Sequence, residues 1–531
     1  MYQAEYQEDA YFCYQEKDKE IQVEGHPAPK THYNYFIHKI LPYFPELQNI
    51  FIPPMVEGRW TGTMNLTEPQ AGSDLSAIRS KADPQDDGSY KISGQKIYIT
   101  YGEHDMAENI IHLVLARTPD APDGVKGISV FLVPKILVNA DGTLGEANDV
   151  RCLSIEKKLG IKGSPTAVLQ YGENGGATGY LVGEENKGLG IMFGMMNHAR
   201  FAVGLQGLSI AERAYQQAVD YAQNRIQGTP LDSKAGDPIS HHPDVLRLLS
   251  VMRAELEAMR ALLLVGGAAL DTAHNGNEAE RAAADTRASL LIPILKGWLT
   301  ERSVAMASDA VQVHGGMGFI EETGAAQHMR DARILPIYEG TNGIQALDFV
   351  GRKCLRDGGE AIAELLAEMA ETAALIDSAN EQTRPLLKAL EQAIAQCQQA
   401  LDYVKANADR ASYIAYHFLM LFGNSVSYWL MVKLAVAAQG RLEAGSYDRY
   451  YTQKIATTGF FAWCAWLAKG ALSWLGRTSI AAITWTPAVW TGRAARRRSF
   501  LRRLHRQFHT GRKSGADFFA VRGCRIWWRR R

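Results

Sequence analysis

The sequence of 531 residues lacks the cysteine patterns and the leader that characterise secreted or zinc-binding proteins. Its six cysteines are scattered, without a C-x-x-C pair and without histidines at zinc spacing, which disfavours a disulfide framework and a metal site. The N-terminus has neither the basic segment nor the apolar segment that directs secretion. We therefore expect a cytoplasmic protein in a reducing compartment.

Sequence motifs for several common active sites are also missing. Gly188-x-Gly190 lacks the later glycine of a dinucleotide-binding loop and follows no predicted strand, so a Rossmann site is disfavoured. No G-x-S-x-G serine elbow is present. The longest apolar run, from Gly459 to Leu475, is interrupted by Lys469, which argues against a membrane span.

Charges of both signs are equally abundant but unevenly distributed. The chain has 57 basic and 57 acidic residues, yet residues 459–531 contain 16 of the basic residues and only Asp517 as an acid. The rest of the chain therefore has an excess of 15 acidic side chains. With 46% apolar residues and this length, we expect about three domains ahead of a basic tail.

Two kinds of periodicity follow one another along the chain. Between about 64 and 171, short apolar runs alternate with turn sequences such as Asp86-Asp87-Gly88, which predicts an antiparallel sheet or barrel. From about Asn197 onward, apolar residues recur at steps of three and four, which predicts a helical bundle. Heptad spacing from Leu387 to Val404 predicts a further helical domain. The predicted fold class is α+β, mainly α.

The stretch Pro336–Gln345 contains one carboxylate, Glu339, just before a predicted helix. Apolar residues recur at helical spacing from Ile344 to Val350, so Thr341 is predicted to be the N-cap. Glu339 then lies outside the helix, next to its positive end. The residues alone leave two interpretations open, because a glutamate in this position can be a capping or surface residue or a catalytic base.

This stretch resembles the catalytic-base motif of the acyl-CoA dehydrogenases. A second stretch, Leu66–Asp74 with the sequence LTEPQAGSD, resembles the flavin-binding signature of the same family and stands the expected way upstream. The similarity extends from about Trp60 to Lys353 and more loosely to about Thr458. Within the family, the chain is most similar to the 3-methylmercaptopropionyl-CoA dehydrogenase-like branch, whose members add a C-terminal helical domain.

The resemblance implies an FAD-dependent oxidoreductase that introduces an α,β double bond into an acyl-CoA thioester. The implied substrate is 3-methylmercaptopropionyl-CoA or a fatty acyl-CoA. Glu339 would remove the α-proton while hydride leaves the β-carbon for the flavin, and an electron-transfer flavoprotein or similar acceptor would take up the electrons. The backbone N–H of Glu339 and a flavin hydroxyl would stabilise the charge on the thioester oxygen.

The resemblance also implies which residues hold the two ligands. For FAD these are Met64, Asn65, Leu66, Thr67, Gly72, Ser73, Tyr98, Ile99, Thr100, Thr341, Asn342 and Gly343. For acyl-CoA they are Ser73, Asn197, Arg200 and Gly340. Relatives commonly have tryptophan at the position of Tyr98 and aspartate at the position of Asn197.

Two further segments are implied to reach the flavin of a second subunit. Arg225 would meet the pyrophosphate with its guanidinium, and the stretch that follows a later helix would lie along the same nucleotide, namely Gln312, Val313, His314, Gly315 and Gly316. Small residues in that stretch would let the backbone approach a phosphate. The expected assembly is therefore a homodimer or a dimer of dimers.

Five segments make up the expected domain organisation. They are a shortened N-terminal helical region (1–60), a flavin-binding β-domain (61–185), the helical bundle of the dehydrogenase core (186–353), an additional helical domain (354–458) and an Arg/Trp-rich tail expected to be disordered (459–531). The composition of the tail is typical of translation in a wrong reading frame, and a basic arm that binds nucleic acid or a membrane surface is the alternative.

Two other functions stay open at this point. One is a nucleic-acid-binding flavoprotein of the alkylation-response branch, which the basic tail would favour although nucleic acid is not the expected partner. The other is an inactive member of the family, because both ends of the chain depart from the family pattern. An absorbance spectrum and a salt-dependent DNA titration would separate these possibilities.

Overall fold

The computed structural model describes residues 45–466, apart from 232, 378–379, 382 and 447–448. Predictions for residues 1–44 and for the tail beyond residue 466 lie outside this part of the chain. The described residues begin with helix α1 (Pro45–Val56), in which Phe51 and Met55 are buried. Phe51 packs edge-on against Trp60 with ring centroids 5.9 Å apart, so α1 covers the start of the β-domain.

Ten strands follow α1. They are β1 (Trp60–Asn65), β2 (Lys81–Pro84), β3 (Tyr90–Thr100), β4 (Asn109–Ala116), β5 (Ser129–Pro134), β6 (Ile136–Val138), β7 (Leu144–Ala147), β8 (Val150–Ile155), β9 (Thr166–Tyr171) and β10 (Ala177–Val182). Eight of them form one sheet in the order β1-β4-β5-β10-β3-β9-β8, with β2 paired to β3, and β6 pairs with β7 separately.

The sheet confirms the predicted β-domain with one correction. The described pairings are antiparallel except that β1 runs parallel to β4, with Trp60 opposite Asn109. The strands β2 and β3 lie between β1 and β4 in the chain but pair with each other elsewhere in the sheet. The chain therefore returns to β1 in the same direction, which the pattern of short strands did not reveal.

Nine helices complete the described chain. They are α2 (Gly188–Asn224), α3 (Pro243–Asn275), α4 (Glu278–His314), α5 (Ala325–Ala332), α6 (Asn342–Val350), α7 (Glu360–Ala374), α8 (Arg384–Ala406), α9 (Ala411–Glu443) and α10 (Arg449–Trp466). A short π-helical turn, Gly351–Leu355, extends α6. The predicted helical bundle and further helical domain are thus present.

Helices α2 and α4 run side by side in the same direction. A Cβ atom added at Gly204 would lie 3.2 Å from the carbonyl oxygen of Leu295, so glycine permits the close approach of the two backbones. Near the other end of the pair, the ring of Tyr221 stacks on His314 with centroids 4.5 Å apart. These two helices form the frame on which the candidate site is built.

The β-domain packs against the start of α2. Alternate residues of β4 point to opposite faces of the sheet, and both faces are buried. One face contributes Ile111, Leu113 and Leu115 to a core that also contains Met64 and the α2 residues Met192, Met195, Met196 and Ala199. The sheet and the helical bundle therefore share one hydrophobic core at this junction.

The last helix corrects the predicted start of the tail. The segment expected to be disordered from residue 459 begins inside α10, which continues to Trp466. Phe461 is 2% exposed, and its ring contacts Trp298 of α4 and Tyr428 of α9 at centroid distances of 6.5 and 6.3 Å. Residues 459–462 therefore belong to the packed helical domain, because Phe461 is part of the apolar face that α10 buries.

Among the described helices, α9 is long and apolar enough to cross a membrane. However, 67% of its most apolar window is buried inside the protein. Its buried Tyr428 donates a hydrogen bond to the carbonyl oxygen of Leu386 at 3.0 Å, and Trp429 donates one to Thr372 Oγ1 at 2.7 Å. The helix is thus a core element of the C-terminal helical domain.

Candidate active site

Glu339 lies in the turn that leads into α6. Thr341 is the N-cap, as predicted, since its Oγ1 accepts a hydrogen bond from the N–H of Ile344 at 3.2 Å. The turn is closed by the N–H of Asn342, which donates to the carbonyl oxygen of Pro336 at 2.9 Å. Glu339 is half-buried and precedes the cap. Its predicted position just outside the helix is therefore confirmed.

The backbone of this turn is left-handed at two successive residues. Glu339 has φ 54° and Gly340 has φ 87°. A non-glycine residue in this region costs of order 1–3 kcal/mol and is retained where the surrounding structure enforces it. Gly340 also has little free space, because an added Cβ would lie 2.7 Å from Gln345 Nε2. The turn thus holds the carboxylate in a set conformation.

Arg200 of α2 lies beside this turn. A Cβ added at Gly340 would lie 3.6 Å from Arg200 Nη2. The guanidinium is buried and forms an ion pair with Asp348 of α6 at 3.6 Å, while its Nε has no hydrogen-bond partner among the described residues. Burial lowers the pKa of Arg200, and the charges of Asp348 and Glu339 oppose that effect. Arg200 therefore brings a buried positive charge to the carboxylate.

A buried network beneath the turn was not found from the sequence. Lys296 of α4 is fully buried, and its Nζ donates a hydrogen bond to Asn342 Oδ1 at 2.9 Å. Asn342 Nδ2 in turn donates to Thr300 Oγ1 and to Glu301 Oε1, both at 3.0 Å. The side chain of Asn342 is thus tied to α4, and its backbone N–H closes the turn on Pro336.

Tyr338 anchors the other side of the turn to α2. Its hydroxyl donates a hydrogen bond to the side-chain carbonyl of Gln206. Burial raises the pKa of Tyr338 well above its usual value, and the neighbouring charge of Glu339 adds to this effect. The phenol therefore stays protonated, and the residues on both sides of Glu339 are held by different helices.

The LTEPQAGSD stretch is held by a buried ion pair. Lys96 Nζ of β3 lies 2.8 Å from Glu68 Oε1 and also donates to the carbonyl oxygen of Leu66 at 3.1 Å. Ser80 and the N–H of Arg79 donate further hydrogen bonds to the same carboxylate. Burial raises the pKa of Glu68, but the Lys96 charge and these hydrogen bonds outweigh it and lower the pKa to about 2.

An irregularity in β3 exposes an aromatic ring next to this stretch. The pairing of β3 with β9 shifts between Lys96 and Ile99, and Tyr98 has φ 61°. Its side chain is 61% exposed, whereas Ile99 is buried and Thr100 is half-buried. The N–H of Ile97 donates to the carbonyl oxygen of Thr67 at 2.9 Å, so the bulge and the stretch are joined.

The remaining predicted residues of the first motif differ in exposure. Met64 and Asn65 are buried in β1, Leu66 and Thr67 are half-buried, and Gly72 and Ser73 are exposed. Met64 shares its core with Met196 and Ala199, which flank Asn197 and Arg200. The structure therefore brings the first motif, the start of α2 and the Glu339 turn to one region. Asn197 itself is exposed, as is Gly343 of the turn.

The residues expected to contact the flavin of a second subunit lie at the C-terminal ends of α2 and α4, away from the Glu339 turn. Arg225 is exposed at the C-cap of α2, and Gln312, Gly315 and Gly316 are exposed around the end of α4, while Val313 and His314 are buried. At 1.5 Å per helical residue, His314 lies roughly 27 Å along α4 from Lys296. Within one chain, the segment around Arg225 and His314 is therefore far from Glu339.

Two of the overlooked residues had a signal in the sequence. Lys296 is the one charged residue between Arg287 and Glu301, in a run of otherwise apolar or small side chains. Lys96 stands two residues after Gly94 and four after Ile92, on the inward-facing register of a strand. A lysine at a core position requires a partner, and that requirement points to a buried site. The partners themselves come from distant segments.

Comparison with known proteins found family models and relatives that match most of the chain. Three family models match in order: acyl-CoA dehydrogenase, middle domain (63–173); acyl-CoA dehydrogenase, C-terminal domain (186–354); and acetyl-CoA dehydrogenase C-terminal like (365–475). The chain is 52% identical over 418 residues to 3-methylmercaptopropionyl-CoA dehydrogenase of Ruegeria pomeroyi, which covers 78% of this chain and 71% of that protein.

Two further relatives extend the comparison. A butyryl-CoA dehydrogenase of Syntrophomonas wolfei is 42% identical over 335 residues, which is 61% of this chain and 55% of that protein. An acyl-CoA dehydrogenase from Bacillus anthracis, solved in complex with FAD, has a TM-score of 0.63 at 22% identity, covering 79% of this chain and 69% of that one. The likeness to the Bacillus anthracis structure is evidence for the fold alone.

Together with these matches, the β-domain joined to a helical bundle defines the class of protein, a flavoenzyme that oxidises acyl-CoA thioesters. The chain belongs to the acyl-CoA dehydrogenase family. It is an oxidoreductase that acts on the CH–CH bond of an acyl-CoA, with FAD as its cofactor. The predictions of family, fold class, reaction and cofactor are confirmed.

Proposed function

We propose that the chain dehydrogenates 3-methylmercaptopropionyl-CoA, with Glu339 as the base that removes the α-proton. The identity of 52% with the Ruegeria pomeroyi enzyme of that name supports the substrate. The left-handed turn that presents Glu339 beside Arg200 supports the base. A short fatty acyl-CoA is the second candidate, because a butyryl-CoA dehydrogenase is 42% identical.

The residues around the first motif fit a flavin. Tyr98 presents a largely exposed aromatic face on a strained bulge, and Thr67 is joined to that bulge through the Ile97 hydrogen bond. Met64 to Ser73, Tyr98 to Thr100 and the turn residues Thr341 to Gly343 would hold FAD. When bound, FAD supplies the acceptor for the hydride that leaves the β-carbon. An aromatic face and neighbouring hydroxyls suit such a planar ring.

The chain's own residues prepare the proton transfer. Glu339 must be ionised to accept the α-proton, and the cations of Arg200 and Lys296 favour its charged form. Substrate binding would exclude water from the half-buried carboxylate and make it a stronger base. Asn197, Arg200, Ser73 and Gly340 border this region and would contact the acyl-CoA. Tyr338 and Asn342 hold the turn on either side.

The proposal includes the partners and the location. A homodimer or dimer of dimers is supported by the distance between Glu339 and the segment around Arg225 and His314, which has no role at its own chain's base. An electron-transfer flavoprotein or similar acceptor would reoxidise the enzyme. A reducing, cytoplasmic location agrees with the free thiols of Cys152, Cys354 and Cys397. The basic tail that would favour nucleic acid lies mostly outside the described residues.

A substrate panel combined with Glu339→Gln tests the proposal. With an artificial electron acceptor, kcat/KM for 3-methylmercaptopropionyl-CoA should exceed that for butyryl-CoA by about 10-fold, the size typical for shape discrimination in an apolar pocket. Glu339→Gln should keep its flavin absorbance but lose ~10²–10⁴-fold in kcat, because the amide cannot accept a proton.

Glu360→Gln is the matched control, since Glu360 is exposed at the start of α7 and should leave turnover unchanged. Preference for butyryl-CoA would reject the proposed substrate. Near-normal turnover of Glu339→Gln would reject the proposed base, whichever substrate is used.

A further inference from the structure

Lys296 is a buried cation that the mechanism described so far uses only through its charge. It lies in the middle of α4, between Leu295 and Gly297, and none of its surface is exposed. Burying an ammonium group is costly unless it is paired and hydrogen-bonded. A methionine or leucine would fill the same place in the helix core at no such cost. The lysine therefore calls for an explanation beyond packing.

The contacts of Lys296 lead directly to the base turn. Its Nζ donates to Asn342 Oδ1 at 2.9 Å, and Asn342 also donates from its backbone to Pro336, which closes the turn around Glu339. The amide group of Asn342 is further tied to Gly297 and Thr300. Lys296 is thus one of several α4 groups that hold the residue at the end of the turn, and it is the one that donates an ammonium N–H to it.

The charges around Lys296 come from three elements. Glu339 in the turn and Glu301 on α4 favour the charged ammonium, whereas Arg200 on α2 disfavours it. Burial is the largest influence and lowers the pKa of Lys296 to about 7. Arg200 is itself paired with Asp348 on α6, which in turn pairs with Arg352 at 3.5 Å. Of the two carboxylates that favour the ammonium of Lys296, Glu339 has the larger effect and Glu301 the smaller.

We propose that Lys296 is a positioning residue for Glu339, which rests on Glu339 being the base. Through Asn342 the ammonium holds the turn in its left-handed conformation, and its charge keeps Glu339 ionised before substrate binds. Lys296 touches neither substrate nor the reacting atoms on this view. Its effect is carried by the placement and the ionisation of the carboxylate.

The two parts of this role have different signatures. Misplacement of the turn lowers kcat, because a shift of the base lengthens the path of the proton. Loss of a nearby opposite charge raises the pKa of a carboxylate by about 1 or more. The acidic limb of the pH profile of kcat/KM reports the free enzyme's essential base. That limb therefore separates the electrostatic role from simple packing.

Lys296→Met tests the inference in the full-length flavoprotein. We expect flavin absorbance to be retained, kcat at pH 7 to fall about 10-fold, KM to change less than about 3-fold, and the acidic limb to move up by about 1 pH unit. Lys433→Met is the matched control: Lys433 of α9 is half-exposed, 3.7 Å from Glu368, and its loss should change none of these values.

A flavin-loaded Lys296→Met with wild-type kcat and an unmoved limb would overturn the inference. If Lys296→Met does not fold, two further variants test the positioning role of Lys296. Lys296→Arg keeps the charge and should leave the limb in place, and a limb moved up by 1 unit contradicts the electrostatic role. Asn342→Ala removes the link but keeps the charge, so wild-type kcat in that variant contradicts positioning. Activity in Glu339→Gln would instead reject the proposed base.

Discussion

At the scale of single residues, Glu339 and Gly340 have an unusual backbone conformation. Both occupy the left-handed region, and the carboxylate lies between Tyr338, tied to Gln206, and Thr341, the helix cap. Such strain persists only where neighbouring contacts enforce it. The turn therefore presents Glu339 in a fixed orientation. A base that removes one particular proton requires such an orientation.

Gly340→Ala should damage catalysis without removing the base. Alanine at φ 87° costs about 1–2 kcal/mol, and its Cβ would lie 2.7 Å from Gln345 Nε2, so the turn must shift. We expect kcat to fall at least ~10-fold while flavin stays bound. Gly351→Ala serves as the control, because no atom lies within 4 Å of its added Cβ. Equal kcat in both variants would show that the turn conformation is unimportant.

At the scale of elements, strand β3 and the LTEPQAGSD stretch act as one unit through Glu68 and Lys96. The pair is buried, and the carboxylate also accepts hydrogen bonds from Ser80, Arg79 and Gln70. Removing one member of a buried pair leaves the other charge uncompensated, which typically costs about 3–5 kcal/mol. The ion pair therefore supports the position of Thr67 and, through Ile97, of the Tyr98 bulge.

Glu68→Gln should lower the melting temperature and alter its dependence on pH. The pKa of Glu68 is about 2 in the folded protein, below its usual 4.5. A depressed carboxyl pKa contributes stability that is complete above about 4.5 and is lost as the pH falls toward 2. Thermal unfolding between pH 7 and 3 should show a shallower acid decline in the variant than in the wild type.

The matched control for this experiment is Glu57→Gln. Glu57 forms a half-exposed ion pair with Arg59 at 2.7 Å, and exposed pairs contribute about 1 kcal/mol or less. Its acid decline should therefore match that of the wild type. Identical declines in the wild type and in Glu68→Gln would show that the buried pair does not govern acid stability.

At the scale of the whole molecule, α10 ties the C-terminal helical domain to the dehydrogenase core. Phe461 packs on Trp298 of α4, and Lys454 forms an ion pair with Glu257 of α3 at 2.5 Å. The acetyl-CoA dehydrogenase C-terminal-like model matches as far as residue 475. The boundary between this domain and the Arg/Trp-rich tail therefore lies later in the chain than residue 459.

Two truncations should separate the domain from the tail. Deleting 476–531, beyond the matched region, should leave activity per bound flavin unchanged. Deleting 459–531 also removes Phe461, and loss of a buried phenylalanine side chain costs about 3–5 kcal/mol. That shorter protein should melt at a lower temperature, as measured by thermal unfolding. Loss of activity on deleting only 476–531 would assign the tail a function.

Much of this organisation could be read from local pattern. The short apolar runs of β3 to β5, the heptad spacing of α8 and the Thr341 cap depend on neighbours within a few residues, and all three were predicted. The motifs around Glu68 and Glu339 also indicated family and cofactor. Local pattern failed where contacts between distant segments decide the structure, as in the parallel pairing of β1 with β4 and the end of α10.

The sequence by itself determined the class of enzyme, the candidate base and its place before α6, because each rests on a short contiguous motif. Only the tertiary structure decided what surrounds that base. Lys296 and Arg200 come from different helices, and each meets the turn only when α2 and α4 pack side by side. Buried charges find their partners through three-dimensional packing, which spacing along one chain does not encode.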